Sequence, residues 1–264
     1  AVGSEVSLFQ VGDEVFYAGA LQRQGGNSEL HVVDERIVGH KPRSLGFAEA
    51  AALPLTAITA WETLFERIGL NRESTGRLLV IGGAGGVGSI AIQLASRIAQ
   101  LTVIATASRP ESGDWVKKLG ADHVVNHRHA LDVELRSIGV PTVDYILCLN
   151  NTVQHWTAMA NAIAPQGRIC SIVEAGQPLN LDLIKSKSAS FSWEFMFTRA
   201  MYQTIDMIEQ QCLLNAIAGY VDSGVLVTTS NTVIRPINAR NLRQAHALVE
   251  EGNAIGKIVL ADWE

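Results

Sequence analysis

Cysteine, proline, aromatic side chains and excess charge are all scarce in this chain, which has three Cys, seven Pro and 6% aromatics among 264 residues. Cys148, Cys170 and Cys212 lie more than twenty residues apart, with no CxxC pair and no histidine cluster beside them. An odd, scattered set of thiols argues against a disulfide framework and fits a reducing cytoplasm. Basic residues are outnumbered, 21 Lys plus Arg against 26 Asp plus Glu, for a net charge of -5 with no basic run. A track of nucleic-acid phosphates has nothing here to neutralise it, so no nucleic-acid partner is expected. The longest uncharged stretch, Leu78 to Ser96, carries five glycines and a turn signal in its middle, so no membrane span is expected either. Ala1-Val-Gly-Ser-Glu5 lacks the charged start and apolar core of a secretory signal. Aliphatic residues are what the chain has in plenty. At 47% hydrophobic it is not a disordered chain, and it can fill the cores of about two modest domains.

From Leu78 onward, short apolar runs rich in β-branched residues alternate with helical patterns, the sequence form of an α/β fold with a parallel sheet covered by helices. The strand candidates are Leu78–Gly82, Thr102–Ala107, His123–Asn126, Val143–Leu149 and Gly167–Val173. Helix candidates fall between them at Val87–Ala99, Glu111–Leu119, Ala130–Ile138 and Val153–Ile163. In the first helix Val87, Ile90, Ala91, Leu94, Ala95 and Ile98 recur at helical spacing, so one face is buried. Residues 1–47 instead hold short extended segments, Glu14–Tyr17 and Leu30–Val33, separated by Gly, Asp and Asn. The end of the chain has an aromatic stretch, Phe191–Phe197, a helix at Asp206–Val221 and a helix–strand pair over Asn238–Leu260. These two ends are expected to fold together as a second, partly β domain.

Gly83-Ala-Gly-Gly-Val-Gly88 is a GxGxxG that follows an apolar strand and opens an amphipathic helix. Glycines there let the backbone approach a pyrophosphate, and the helix N-terminus behind them offers unpaired N–H groups and a positive dipole end. In that context Gly83, Gly85, Gly86, Val87 and Gly88 are expected to bind a dinucleotide. An NAD-preferring site has an acid at the end of the second strand to bond the ribose 2′-hydroxyl. Ser108 and Arg109 stand in that place here, and a guanidinium suits a 2′-phosphate, so NADP(H) is the expected cofactor. The competing reading has Glu111 bonding the ribose and Arg109 as a solvated charge. A methyltransferase using the same loop fits less well, because its cofactor has no 2′-phosphate.

The segments Gly82-Gly-Ala-Gly-Gly-Val-Gly-Ser-Ile-Ala-Ile-Gln-Leu-Ala95, Glu49-Ala-Ala-Ala-Leu-Pro-Leu-Thr-Ala-Ile-Thr-Ala-Trp61 and Val11-Gly-Asp-Glu-Val15 together resemble the medium-chain dehydrogenase/reductase superfamily. Within it the chain is most similar to quinone oxidoreductases and zinc-type alcohol dehydrogenase-like proteins. The resemblance implies a Rossmann domain over residues 54–199, and a GroES-like substrate domain over 1–53 and 200–264. It also implies several tens of residues before Val11 that this sequence does not contain, so the GroES-like domain is expected to be incomplete at its N-terminal side. Thr56 matches a threonine beside the nicotinamide, with a helix-start hydroxyl as the alternative. His127 falls near the adenine and ribose. Leu149, Asn150 and Val173 end strands where such sheets bind ligands. Phe195 and Phe197 border the nicotinamide pocket or serve packing, and Lys257 matches a residue that reaches the cofactor phosphates.

The zinc-ligand stretch of alcohol dehydrogenases corresponds here to Ala50-Ala-Ala-Leu-Pro54, without a thiol, so no metal site is expected. His123, His127 and His129 are read as strand-end or exposed residues rather than ligands. The resemblance thus implies hydride transfer from NADPH to a quinone, enone or related small carbonyl compound, by a homodimeric enzyme. No residue stands out as a general acid; Tyr17 and Tyr202 are candidates, with ordinary packing as the alternative. A non-catalytic NADP(H)-binding or redox-sensing protein is the alternative function.

Overall fold

The computed structural model describes residues 1–263. Two short strands come first, β1 (Val15–Tyr17) and β2 (Val38–His40), followed by the one-turn helix α1 (Phe47–Ala50) and by α2 (Pro54–Trp61), which continues as a π-helical turn over Glu62–Arg67. Strands and helices then alternate: β3 (Arg77–Ile81), α3 (Gly86–Gln93), β4 (Thr102–Thr106), α4 (Pro110–Leu119), β5 (His123–Val125), α5 (Leu131–Ser137), β6 (Val143–Cys148), α6 (Thr152–Ala162), β7 (Ile163–Ser171), α7 (Asp182–Lys185) and β8 (Ser190–Trp193). The last elements are α8 (Thr198–Tyr202), α9 (Glu209–Asp222), β9 (Ser230–Ile234), α10 (Ala239–Glu250) and β10 (Lys257–Leu260).

The chain forms two compact units. The first comprises residues 1–58, 195–250 and 258 onward, and the second comprises residues 59–194 with a seven-residue return at 251–257. In the second unit six strands form one parallel sheet in the order β5-β4-β3-β6-β7-β8. β3 lies in the middle, with Leu79 level with Ile104 of β4 on one side and with Ile146 of β6 on the other. Its residues Leu78, Leu79 and Val80 are fully buried, as expected of a parallel strand covered on both faces. One core joins Leu79, Ile81, Ile104 and Ile146 to Leu135 of α5 and to Trp156 and Met159 of α6. Burial of side chains of this size contributes roughly 1.5–3 kcal/mol each, and this core is where the unit draws its stability.

Local signals explain several boundaries. Pro110 opens α4, where its missing N–H costs nothing, and Gly120 closes it in the left-handed region at φ 117°. α6 runs into β7 without a loop. The Lys187 ammonium donates to the carbonyls of Ala160, Asn161 and Ile163 at 2.7–2.8 Å, satisfying acceptors that the end of the helix leaves open. β7 therefore starts at Ile163 rather than at Gly167.

The first unit carries the small β elements expected of a partial GroES-like domain. β1 and β2 pair antiparallel, and β9 and β10 form a second two-stranded sheet. The extended reading of Leu30–Val33 is not met. Those residues form no strand, and Leu30 and Val32 are 90% and 72% exposed, so their apolar side chains lack the covering layer that a strand of this composition needs. Among the described residues no helix is long and apolar enough to cross a membrane.

Candidate cofactor site

The order of the sheet reverses at β3, since the chain moves outward through β4 and β5 and then returns to place β6 on the other side. A crevice outside the carboxyl ends of the strands is expected at such a reversal. A cavity of about 330 Å³ occupies it. Its floor is the glycine loop, from Gly82 and Ala84 to Gly88, and Thr106 to Arg109 from the end of β4 form one side. His127 and Arg128 after β5, Leu149 and Asn150 after β6, and Gly252, Asn253 and Ala254 from the return segment complete the lining.

The loop is held in shape by its backbone. Gly82 has φ 85°, its N–H donates to the Thr106 hydroxyl at 3.0 Å, and the Gly85 N–H donates back to the Gly82 carbonyl at 3.2 Å. α3 starts immediately behind, and a Cβ at Gly88 would sit 2.6 Å from the Gly82 carbonyl oxygen, so this turn of helix approaches the strand end as only glycine permits. Ser89 buttresses the arrangement, its hydroxyl donating to the Gly85 carbonyl and accepting from the Trp115 indole at 2.8 Å. The first N–H groups of α3 have no acceptor within the helix and carry its positive dipole end, which is suited to an anion.

Charge at the cavity has one sign. Arg109 and Arg128 line it, and no carboxylate does. Arg109 is the N-cap of α4. Its N–H and carbonyl both bond the Ser112 hydroxyl, and its guanidinium Nη2 donates to the Asn253 carbonyl at 2.6 Å. Glu111, the competing ribose ligand, is not among the lining residues. An adjoining cavity of about 320 Å³ shares Thr106, His127 and Arg128, and adds Gln154 and His155 of α6. The Nδ1 atom of His127 is buried with no hydrogen-bond partner. Burial, and then the Arg128 charge, hold His127 below the ordinary histidine range; His155 is lowered by burial and then by His127. Both imidazoles are therefore neutral near pH 7.

Of the residues singled out from sequence, Gly85, Gly86, Val87, Gly88, Ser108, Arg109, His127, Leu149 and Asn150 are brought together around this cavity. Gly83 is not on the lining but behind it, where a Cβ would meet the Ala105 side chain at 2.9 Å. Val173 is likewise absent from the lining, which Ile172 joins instead, and its carbonyl accepts from the Thr152 hydroxyl at 2.5 Å. Lys257 is half-buried, with its pKa lowered by burial, and the neighbouring Gly256 N–H donates to the Ala84 carbonyl of the glycine loop at 2.8 Å. Thr56, Phe195 and Phe197 belong to the first unit. The Thr56 hydroxyl, in the first turn of α2, donates back to the Leu53 and Ala52 carbonyls at 3.0 and 3.2 Å rather than accepting a backbone N–H as a cap does, and the two phenylalanine rings meet edge-on at 5.6 Å. Tyr17 is hydrogen-bonded to His31 at 3.1 Å, and Tyr202 is exposed.

Sequence reasoning missed Thr106, Ser112, Arg128 and the Gly252–Ala254 segment. Ser112 was open to detection as the third residue of a helix that begins at a proline. The return segment gave only one signal, a glycine shortly after the end of a helical pattern.

The chain aligns with a zinc-type alcohol dehydrogenase-like protein of Staphylococcus aureus at 43% identity, covering 98% of this chain and 78% of that protein. The model for zinc-binding dehydrogenases matches residues 119–260. This chain belongs to the zinc-type alcohol dehydrogenase-like proteins. They are oxidoreductases of the medium-chain dehydrogenase/reductase superfamily. The structure of a Rhizobium etli protein assigned to the zinc-dependent alcohol dehydrogenases superposes with a TM-score of 0.95 at 51% identity, over 100% of this chain and 78% of that one. The CurK enoyl reductase is also similar, with a TM-score of 0.82 and 28% identity over 99% of this chain and 76% of that one.

The family's label implies zinc, and the residues present do not fit it. Among the described residues no three His, Cys, Asp or Glu side chains are grouped to hold a metal ion. Cys148 and Cys170 are buried in sheet strands away from the cavity lining, and burial pushes both thiols up to about 11.

Proposed function

We propose that this zinc-type alcohol dehydrogenase-like protein binds NADP(H) at the β3–β6 crevice and directs hydride onto a conjugated carbonyl, an enone or a quinone. The observation that carries the cofactor reading is the pairing of Arg109 and Arg128 on a cavity lining that holds no carboxylate. A ribose 2′-hydroxyl asks for an acid in that place, whereas a 2′-phosphate asks for cations. When bound, the reduced nicotinamide supplies the hydride.

The chain's own contribution is binding and orientation. The glycine loop and the start of α3 receive the pyrophosphate, Arg109 and Ser108 grip the 2′-phosphate, and the neutral His127 packs beside the adenine and ribose without adding charge. The acceptor in this reading is one whose developing charge spreads by conjugation onto an oxygen held by hydrogen-bond donors. The similarity to an enoyl reductase supports that class of acceptor. The reading extends to a cytoplasmic homodimer. β8 is an edge of the six-stranded sheet and its Trp193 is 46% exposed, a surface that a second copy would cover.

Paired titrations of NADPH and NADH test the cofactor. Arg109→Ala should weaken NADPH about 10- to 100-fold, the worth of a charge-assisted hydrogen bond, and leave NADH within about twofold. Equal losses for both would overturn the assignment. Turnover on a panel of enones, quinones and aldehydes tests the reaction, and tight NADPH binding with no turnover on any of them would favour the non-catalytic alternative.

A further inference from the structure

The return segment 251–257 is remote in sequence from the glycine loop, yet it supplies one wall of the cavity through Gly252, Asn253 and Ala254. It is attached at two points. The Gly256 N–H donates to the Ala84 carbonyl inside the glycine loop at 2.8 Å, and the Asn253 carbonyl accepts from Arg109 Nη2 at 2.6 Å. Arg109 is thus fixed at its root by Ser112 and at its tip by Asn253.

A free arginine at a cavity mouth samples many rotamers, and a phosphate must immobilise it on binding. Here one of the five guanidinium N–H groups is already used. That single bond sets the plane of the guanidinium and leaves the other donors to form a fork on a phosphate. We propose that the Gly252–Ala254 strap determines the cofactor preference, its Asn253 carbonyl holding the Arg109 guanidinium ready for the 2′-phosphate. Asn253 is a positioning residue acting through its backbone. The inference rests on the NADP(H) reading above and deepens it, assigning part of the specificity to a segment that would not itself touch the phosphate.

The carbonyl cannot be removed by substitution, but its direction can be changed. Gly252 has φ 68°, in the left-handed region, and nothing lies within 4 Å of where its Cβ would be. No protein atom obstructs a side chain there, and because Gly252 lines the cavity, asparagine serves as the control for the space a side chain takes up, leaving the backbone as the difference between the variants. Valine is strongly disfavoured at that φ, alanine less so, and asparagine tolerates it.

The experiment compares Gly252→Val, Gly252→Ala and Gly252→Asn with wild type and Arg109→Ala. It measures the dissociation constants of NADPH and NADH by nicotinamide fluorescence and the melting temperature without cofactor. Gly252→Val should weaken NADPH about tenfold with NADH changed less than about twofold, Gly252→Ala should fall between, and Gly252→Asn should retain wild-type preference. A purely structural role for the glycine would lower the melting temperature and weaken both cofactors together. If Gly252→Val does not fold, the step from Asn to Ala carries the comparison. An unchanged NADPH-to-NADH ratio in the Val and Ala variants, while Arg109→Ala abolishes the preference, overturns the strap and leaves the NADP(H) reading standing. A wild-type protein with no preference, or an Arg109→Ala variant that keeps it, overturns both.

Discussion

Adding one methyl group at two glycines of the same loop should have very unequal consequences. At Gly88 the new Cβ would lie 2.6 Å from the Gly82 carbonyl oxygen and nearer still to that of Gly83, both backbone atoms that no rotamer change can move. Ordinary contact begins at 3.4 Å, so the first turn of α3 must part from the Gly82 oxygen by about 0.8 Å and from the Gly83 oxygen by about 1 Å. Overpacking of this kind costs about 1–3 kcal/mol, and the better helix propensity of alanine returns at most about 1. A net loss of about 1–2 kcal/mol corresponds to a melting temperature lower by about 2–8 °C in a protein of this size. At Gly85 the nearest atom to an added Cβ is the Gly82 carbonyl oxygen at 3.5 Å, and the backbone is at φ -71°, which alanine adopts freely. Gly85→Ala should shift the melting temperature by less than about 3 °C, the cost of a poorer N-cap. Differential scanning fluorimetry without cofactor reads both. NADPH binding reads the rest for Gly88→Ala, since misplacing the loop by near 1 Å is expected to weaken binding as much as 100-fold. A Gly88→Ala protein that melts with wild type and binds NADPH normally would refute the idea that close approach of helix and strand end is what this glycine provides.

Acid should destabilise the protein through its neutral histidines. His127 and His155 are lowered in the folded state, so between their unfolded value of about 6.5 and their folded values the unfolded chain binds more protons; stability is full above about pH 7 and falls as pH drops through 6.5. Urea unfolding at pH 7 and pH 5.5 should show a smaller difference for His127→Gln than for wild type, and an equal difference would count against this origin. Thiol labelling of the native protein should give one fast equivalent, the exposed Cys212, because Cys148 and Cys170, pushed up to about 11, hold roughly 0.1% thiolate or less at pH 7.5. Three fast equivalents would mean that the sheet opens on the labelling timescale. Glu194, whose side chain is fully buried, is paired with Arg67 at 2.8 Å; Arg67→Ala leaves a buried carboxylate alone and should cost about 3 kcal/mol, measured as a lowered denaturation midpoint, while Arg67→Ala combined with Glu194→Gln should recover much of it.

The parts of this protein legible in its sequence are those in which local pattern and tertiary burial agree. Leu78–Ile81 reads as a buried strand because every side chain is apolar and both faces are covered, and the glycine loop is recognisable because strand, loop and helix follow without interruption. The pattern misleads where apolar residues lack a partner, as at Leu30 and Val32. β9 went unread, since Ser230-Asn-Thr has no apolar alternation and owes its extended form to pairing with β10. In the site, Arg109 was found from its place at a strand end. The role of Asn253 was invisible because 144 residues separate it from Arg109, and because the atom that matters belongs to the backbone, on which the identity of the side chain is silent.

The seven-residue return at 251–257 also bears on how the protein can be divided. A gene fragment ending at residue 194 would encode all six strands of the parallel sheet and the glycine loop, yet it would lack the strap that completes the pocket. The nucleotide-binding half is therefore not a portable cassette that can be lifted out or exchanged between relatives at two cut points. The strap proposal predicts that a transplant keeps its specificity only if it carries the late segment with it, and that exchanging this segment alone changes which nucleotide the host prefers.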